Sequence, residues 1–263
     1  MERIGIEEIH ARVLAIAKEF DKICTRHQIP YYMLGGTMLG AIRHKGFIPW
    51  DDDMDFGVPI AYYDQLEEIL KKELPSNYRC CTYKNHPAVI HNYLKIEDRE
   101  TVLDDRTRFS LPLSEQLGVN IDVFPLCRCH LNDKVMKKVY FYRTLLGAFM
   151  NSRSNPNSLP RKIAKTFLRF IAGGSPIKVN KKMDILLHNT DKGECLGNLL
   201  GHWGPKEIIP FDWYGSGVRY CFEDASFVGL QSYDEYLTKL YGNYMQLPPE
   251  EKRLPHEENV FLR

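Results

Sequence analysis

Leu34-Gly35-Gly36-Thr37-Met38-Leu39-Gly40-Ala41-Ile42-Arg43-His44-Lys45-Gly46-Phe47-Ile48-Pro49-Trp50-Asp51-Asp52-Asp53-Met54-Asp55-Phe56-Gly57-Val58 decides how this chain is read. Its first part follows Tyr31-Tyr32-Met33-Leu34, a short apolar run that predicts a buried strand. Gly35-Gly36-Thr37 then reads as a turn, with a brief helix from Met38 to His44. Its last part alternates polar and apolar residues, as a strand with one wet face does. In such a strand Asp53 and Asp55 share a face, Asp51 has the same parity, and Met54 and Phe56 point into the core. Two adjacent carboxylates repel each other unless a cation sits between them. A hard divalent ion such as Mg²⁺ or Mn²⁺ fits oxygen ligands of this kind.

Outward from this stretch the chain predicts an α/β (α+β) fold. Ile6, Ile9, Val13, Ile16, Phe20 and Ile23 recur at spacings of three and four, which predicts an amphipathic helix over roughly 5 to 27. Residues 60 to 73 predict a second helix, ended near Pro75, and Tyr233 to Tyr241 a late one. Further strands are expected at Val89 to Ile96 and at Val119-Asn120-Ile121-Asp122-Val123-Phe124, the last stopped by Pro125, and short elements around Arg219 to Glu223. There is no repeat and no long linker. One domain is expected, with a small mixed sheet and flanking helices over about 1–130 and a mainly helical, basic lobe over 131–263.

Asp122 lies in a polar-apolar alternation and would join Asp53 and Asp55 if its strand were adjacent. Gly35, Gly36 and Thr37 offer close backbone approach, N–H groups and a hydroxyl, which suit a phosphate. A Gly-Gly turn, an Asp-x-Asp on the next strand and a distant third Asp are together the parts of a nucleotidyltransferase-type site. A calcium loop of the EF-hand kind is excluded, because its Gly would fall at Phe56 and its closing Glu at Tyr62.

Residues 34–55 resemble the signature of the LicD family, bacterial phosphorylcholine transferases of surface glycans related to fukutin and fukutin-related protein. Asn120-Ile121-Asp122-Val123-Phe124-Pro125 is similar to that family's later Asp strand. Tyr233-Asp234-Glu235-Tyr236-Leu237, Tyr241-Gly242, Pro248-Pro249 and Arg253 are similar to its C-terminal motif. The resemblance implies a nucleotidyltransferase-like fold. It also implies metal-dependent transfer of a phospho-substituent, phosphocholine first, from a CDP-alcohol such as CDP-choline to a sugar hydroxyl, with release of CMP. The acceptor would be lipopolysaccharide, teichoic acid or capsule, as a glycan or a lipid-linked sugar.

Within that reading Asp53, Asp55 and Asp122 are the catalytic residues and, with Asp51, the metal ligands. Asp122 would ligate the metal or accept the acceptor hydroxyl's proton. Gly35, Gly36 and Thr37 would position a phosphate, with Arg43, Lys45, Lys95 and His256 on the substrate. Trp50, Trp203, Trp213 and Tyr214 are candidates to cage a quaternary ammonium. Two other classes share parts of the pattern. A nucleotide-sugar glycosyltransferase would release UDP or GDP, and a non-catalytic nucleotide binder would show no turnover.

Composition limits the partners. With 263 residues and 44% hydrophobic, the chain can bury a core, and 35 Lys and Arg against 34 Asp and Glu exclude a uniformly basic nucleic-acid binder. The charges are segregated: residues 133–183 hold twelve Lys and Arg and a single acid, Asp133. That segment is also amphipathic, and it is read either as contact with anionic lipid at the inner face of the cell membrane or as a solvated basic face. No signal peptide or spanning segment is recognisable, so a cytoplasmic protein is expected. Seven cysteines fit reduced thiols, with Cys127-Arg128-Cys129-His130 a weak metal candidate.

Overall fold

A computed structural model describes residues 1–105, 111–130, 134–150, 159–190, 192–253 and 259–263. The fold is α/β, around a seven-stranded mixed sheet. Helix α1 (Ile6–Arg26) buries Ile9, Val13, Ile16, Phe20 and Ile23, the stripe its spacing predicts. Strand β1 (Tyr32–Met33) follows, then α2 (Gly35–Arg43), β2 (Asp55–Pro59), α3 (Ile60–Glu73), β3 (Tyr78–Cys81), β4 (Leu94–Asp98), β5 (Thr101–Leu103) and β6 (Asn120–Cys129). The order β1-β2-β6-β4-β3 makes the sheet, with β2 parallel to β6 and the other pairs antiparallel. Met54 and Phe56 are fully buried, as the alternation requires.

Several boundaries differ from those expected. Gly35-Gly36-Thr37 is not a turn ahead of a helix but the first turn of α2 itself. Gly35 has φ +47°, a conformation that a residue without Cβ adopts freely, and it reverses the chain directly from strand to helix. Strand β2 starts only at Asp55, because β1 is two residues long and pairs with Gly57 and Phe56 alone. Asp51 and Asp53 therefore approach the sheet on a loop and not on a strand. Residues 89–93 likewise precede β4 rather than belong to it.

Pro125 does not stop β6. The Asp122 N–H bonds to Met54 O on the β2 side, so the backbone of odd-numbered residues faces the other edge. On that edge β4 pairs with residues 120–123 and β7 (Cys195–Asn198) with residues 126–129. Pro125, which has no N–H, falls in the gap between them.

The stretch after residue 130 is helical only in part. Helices α4 (Val135–Gly147), α5 (Leu159–Ile171) and α6 (Pro176–His188) follow, and then β7 and β8 (Ile208–Pro210) rejoin the core sheet. The hydrophobic Cys195, Leu196, Ile208 and Ile209 are what return it, all nearly fully buried. A hairpin of β9 (Val218–Phe222) and β10 (Ala225–Gly229), helix α7 (Tyr233–Tyr241), and β11 (Val260–Leu262) paired with β5 complete the fold. No helix among the described residues is long and apolar enough to cross a membrane.

Candidate active site

Three strands gather the charged side chains. Asp55 opens β2 and is the register partner of Asp122 on β6, which in turn faces Lys95 on β4. The twofold period of β6 puts Asn120 and Asp122 on the cleft side, while Ile121 and Val123 are fully buried on the other. The Lys95 ammonium contacts the Asp122 carboxylate closely, donates to Asn120 Oδ1 at 3.0 Å, and lies 5.4 Å from the Tyr93 ring centre.

Helix α2 closes the cleft from the other side. Leu34 N–H donates to Asp55 O at 2.9 Å, and Thr37 Oγ1 accepts the Asp55 N–H at 2.7 Å. Thr37 is buried, and its hydroxyl is engaged in fixing the start of β2 against α2. Gly35 N–H donates to Tyr236 Oη at 2.9 Å. A Cβ on Gly36 would lie 2.6 Å from Asp51 Oδ2, so the absence of a side chain there lets the carboxylate seat against the positive end of the helix.

The carboxylates crowd one another. Ligand oxygens of Asp51, Asp52 and Asp53 lie within 4.8 Å of each other. Burial, then the charges of Asp53 and Asp52, push the Asp51 carboxyl up to about 8. Burial, then Asp53, Asp122 and Asp51, hold Asp55 well above the usual carboxylate range, with Lys95 opposing. Crowded carboxylate oxygens of this kind suit a hard divalent cation, and these residues could hold one. Asp52, whose strand parity set it apart, is nearly fully buried within this group.

The other metal-capable groups are already satisfied. Cys81, His86 and Glu97 cluster in the core. Glu97, however, accepts from Arg79 Nε at 2.6 Å and Gly118 N–H at 2.9 Å, and His86 Nδ1 accepts the Ala88 N–H. A neutral His86 then carries its proton on Nε2 and has no lone pair left for an ion. Cys127-Arg128-Cys129-His130 does not form a metal site among the described residues. Strand alternation buries both thiols, while His130 is exposed and paired with Glu194. Burial pushes the Cys127 thiol up to about 12.

Two cavities meet at the carboxylates. One, of about 280 Å³, is walled by Gly35, Gly36, Asp55, Phe124, Trp203 and Tyr241; the other, of about 300 Å³, by Asp52, Lys95, Val89, Ile90, Gln116 and Asn120. Asp53, Asp122, His91 and Tyr93 line both. In the first, the Trp203 and Tyr241 rings meet edge to face at 5.0 Å. Lys206 lies 5.4 Å from the Trp203 ring centre. Glu207 accepts the Trp203 N–H at 2.8 Å and is pushed up to about 7 by burial, against the pull of that bond and of Asn198.

The structure does not bring Arg43 or Lys45 to the carboxylates. Arg43 is at the far end of α2, about 12 Å along the axis from Gly35. Its guanidinium donates to Tyr244 O at 2.8 Å, and burial lowers its pKa. Lys45 is exposed in the turn beyond α2, where its carbonyl accepts the Glu223 N–H. Of the four aromatics singled out, Trp203 alone lines the first cavity. Trp50 lies edge-on to His44, Trp213 packs against the core, and Tyr214 is buried against Tyr32. His256 lies outside the described residues. Sequence reasoning missed Tyr93, Tyr241 and Glu207, which carry no motif of their own; the similarity of 233–242 to a C-terminal motif was the one signal pointing to Tyr241.

The chain is similar to known proteins. The family described as LicD/FKTN/FKRP, nucleotidyltransferase domain, matches residues 28–145. The chain is 28% identical over 97% of its length, and 97% of the relative's, to the lipopolysaccharide cholinephosphotransferase LicD of Haemophilus influenzae. A 48-residue stretch, 18% of this chain and 10% of the relative, is 38% identical to the human ribitol 5-phosphate transferase FKRP. The matched segment contains α2, the acidic loop, β2, β4 and β6, the elements that build the carboxylate centre. Residues 28–145 are thus similar to the nucleotidyltransferase domain of the LicD/FKTN/FKRP family, and the whole chain to one cholinephosphotransferase.

Proposed function

We propose that the protein transfers a phospho-substituent, phosphocholine in the first instance, from a CDP-alcohol to a sugar hydroxyl of a surface glycan and releases CMP. The observation that carries this reading is the register pairing of Asp55 with Asp122, beside the Asp51–Asp53 cluster and the N-terminus of α2. Asp53 and Asp55, with Asp51, would hold Mg²⁺ or Mn²⁺, which when bound offsets charge on the pyrophosphate and on departing CMP, and would leave Asp122 for the proton.

The chain's own residues do the rest. Gly35 and Gly36 present the positive end of α2 to a donor phosphate. Asp122, oriented by Lys95, accepts the proton of the acceptor hydroxyl. The hydroxyl oxygen forms a bond to the distal phosphorus of the donor, the bond from that phosphorus to the CMP oxygen breaks, and CMP leaves with the electron pair. Attack in line needs entering and leaving groups on opposite sides. Two cavities meeting at Asp53 and Asp122 suit this, with the donor beside Gly35 and Gly36 and the acceptor beside Lys95 and Asn120.

Choline is favoured over the other alcohols because Trp203, Tyr241, Tyr93 and Phe124 line the donor cavity, and aromatic faces attract a quaternary ammonium. The similarity to an H. influenzae cholinephosphotransferase supports the same choice, and the similarity to a ribitol 5-phosphate transferase supports a glycan acceptor. The expected setting is the cytoplasm, at the inner face of the cell membrane, where the basic residues 133–183 would suit an anionic lipid surface.

The test is Asp53→Ala, assayed for CMP release from CDP-choline. Loss of turnover with an unchanged melting temperature is expected, because Asp53 is exposed and its removal relieves repulsion. EDTA should abolish wild-type turnover, and Mg²⁺ or Mn²⁺ should restore it. A variant with near wild-type turnover would overturn the assignment.

A further inference from the structure

Helix α5 is built inside out. Leu159, Ile163, Phe167 and Phe170 recur at spacings of three and four and so form one stripe. Each is between 63% and 82% exposed, and none of the helix's thirteen residues is buried. Lys165 and Arg169 lie on the opposite side and hold α5 to the protein, while Arg161 and Lys162 are exposed. Lys165 Nζ donates to Met150 O at 2.5 Å and Arg169 Nε to Ala148 O at 2.9 Å, while the Arg169 guanidinium lies 5.6 Å from the Phe149 ring centre. A helix covering an aqueous surface does the reverse.

The outer face of α6 has the same composition. Ile177 and Ile185 are 48% and 65% exposed, among the exposed Lys178, Lys181 and Lys182. We propose that the outer faces of α5 and α6 dock on a bilayer that carries anionic phospholipid, with α5 lying flat in the headgroup region. This goes beyond the transfer reaction and does not depend on which donor is used.

Charge decides the occupant. Arg161, Lys162, Lys178, Lys181 and Lys182 are exposed cations of α5 and α6, so two copies meeting through these faces would set cation against cation. An anionic bilayer satisfies both halves of the surface: its headgroups pair with the lysines, and its acyl boundary admits apolar side chains to a depth of about 5–10 Å. Thirteen residues span about 20 Å, enough to lie on a membrane but not to cross one. Docking would also place the site near the surface, since Arg143 of α4, the helix α5 leans on, donates to Gly201 O in the wall of the first cavity.

The test is co-sedimentation of the full chain with vesicles of phosphatidylcholine alone or mixed with phosphatidylglycerol. The double variant Ile163→Asp/Phe167→Asp changes only exposed side chains, and its CMP release with a water-soluble acceptor serves as the folding control. Wild type should bind mixed vesicles and not neutral ones, high salt should weaken binding, and the double variant should lose at least tenfold in partition. Lys162→Gln and Lys181→Gln should each lose about fivefold. Failure of wild type to bind mixed vesicles, or equal binding by the double variant, would overturn the proposal. So would a wild-type dimer, seen by light scattering, that becomes monomeric in the double variant while neither protein binds vesicles. Vesicle binding reads no turnover, so failure here is distinct from failure of the proposed reaction.

Discussion

Replacing Gly36 by alanine should separate the site from the fold. Gly36 is the second residue of α2 and has no positive φ, so alanine fits the backbone, and its higher helix propensity contributes about 0.5–1 kcal/mol of stability. The new Cβ, however, would lie 2.6 Å from Asp51 Oδ2, where ordinary contact begins near 3.4 Å. Asp51 must therefore withdraw by about 0.8 Å. That is cheap for the fold, because the atom displaced is the end of a side chain, but the Asp51 oxygens lie within 4.8 Å of those of Asp52 and Asp53, with which it would hold the metal. Misplacement on this scale costs about a hundredfold in rate. Turnover, followed as CMP released from CDP-choline, should fall by that order while the melting temperature stays level or rises by about 2–4 °C. Gly35→Ala should show the opposite balance. Its φ of +47° strains any side chain, yet the Cβ would meet nothing closer than Tyr241 Oη at 3.6 Å. Near wild-type turnover in Gly36→Ala would refute the claim that the fit of Asp51 against α2 forms part of the site.

Lys95→Met removes the ammonium bound to Asp122 and should destabilise the metal-free protein by about 2–3 kcal/mol, between the limits for exposed and buried pairs. Added Mg²⁺ should then raise its melting temperature more than it raises that of wild type, and an equal rise would contradict the role given to Lys95. Thr37→Val leaves the Asp55 N–H without its acceptor and should cost about 1–3 kcal/mol in denaturant unfolding, with Thr37→Ser restoring most of it. Glu207 titrates at about 7 in the fold against an ordinary 4.5, so the folded state holds its proton more tightly than the unfolded chain does. Glu207 should therefore lower stability as pH rises from about 5 to about 8, by at most about 3 kcal/mol and in addition to the loss from Asp51, and Glu207→Gln should make the slope shallower by that share.

The local periodicities were legible in the sequence. The α1 stripe from Ile9 to Ile23, the span of α7 and the burial of Met54 and Phe56 all follow from spacing, because each depends on neighbours a few residues away. What spacing could not supply was pairing. Pro125 reads as a strand breaker until the gap between β4 and β7 is known, and the start of β2 depends on how short β1 is. The adjacency of Asp55 and Asp122 was conditional on strand order for the same reason. Arg43 belongs to the quoted stretch, yet it is carried away from the carboxylates by the length of the helix that bears it. Trp203 and Tyr241 reach Gly35 and Asp55 from about 150 to 200 positions along the chain, which no local pattern encodes. In α5 the amphipathic spacing was visible but its direction was not, since a sequence shows two faces and not which one the protein covers.

The central claim is tested most directly by offering CDP-choline, CDP-ethanolamine, CDP-glycerol, CDP-ribitol and UDP-glucose in turn, with Mg²⁺ and a lipopolysaccharide acceptor, and measuring nucleotide released together with mass gained by the glycan. The account predicts CMP from CDP-choline, a glycan heavier by one phosphocholine group, and neither product from Asp55→Asn or Asp122→Asn. Release of UDP with transfer of the sugar, or no nucleotide from any CDP-alcohol, would contradict it.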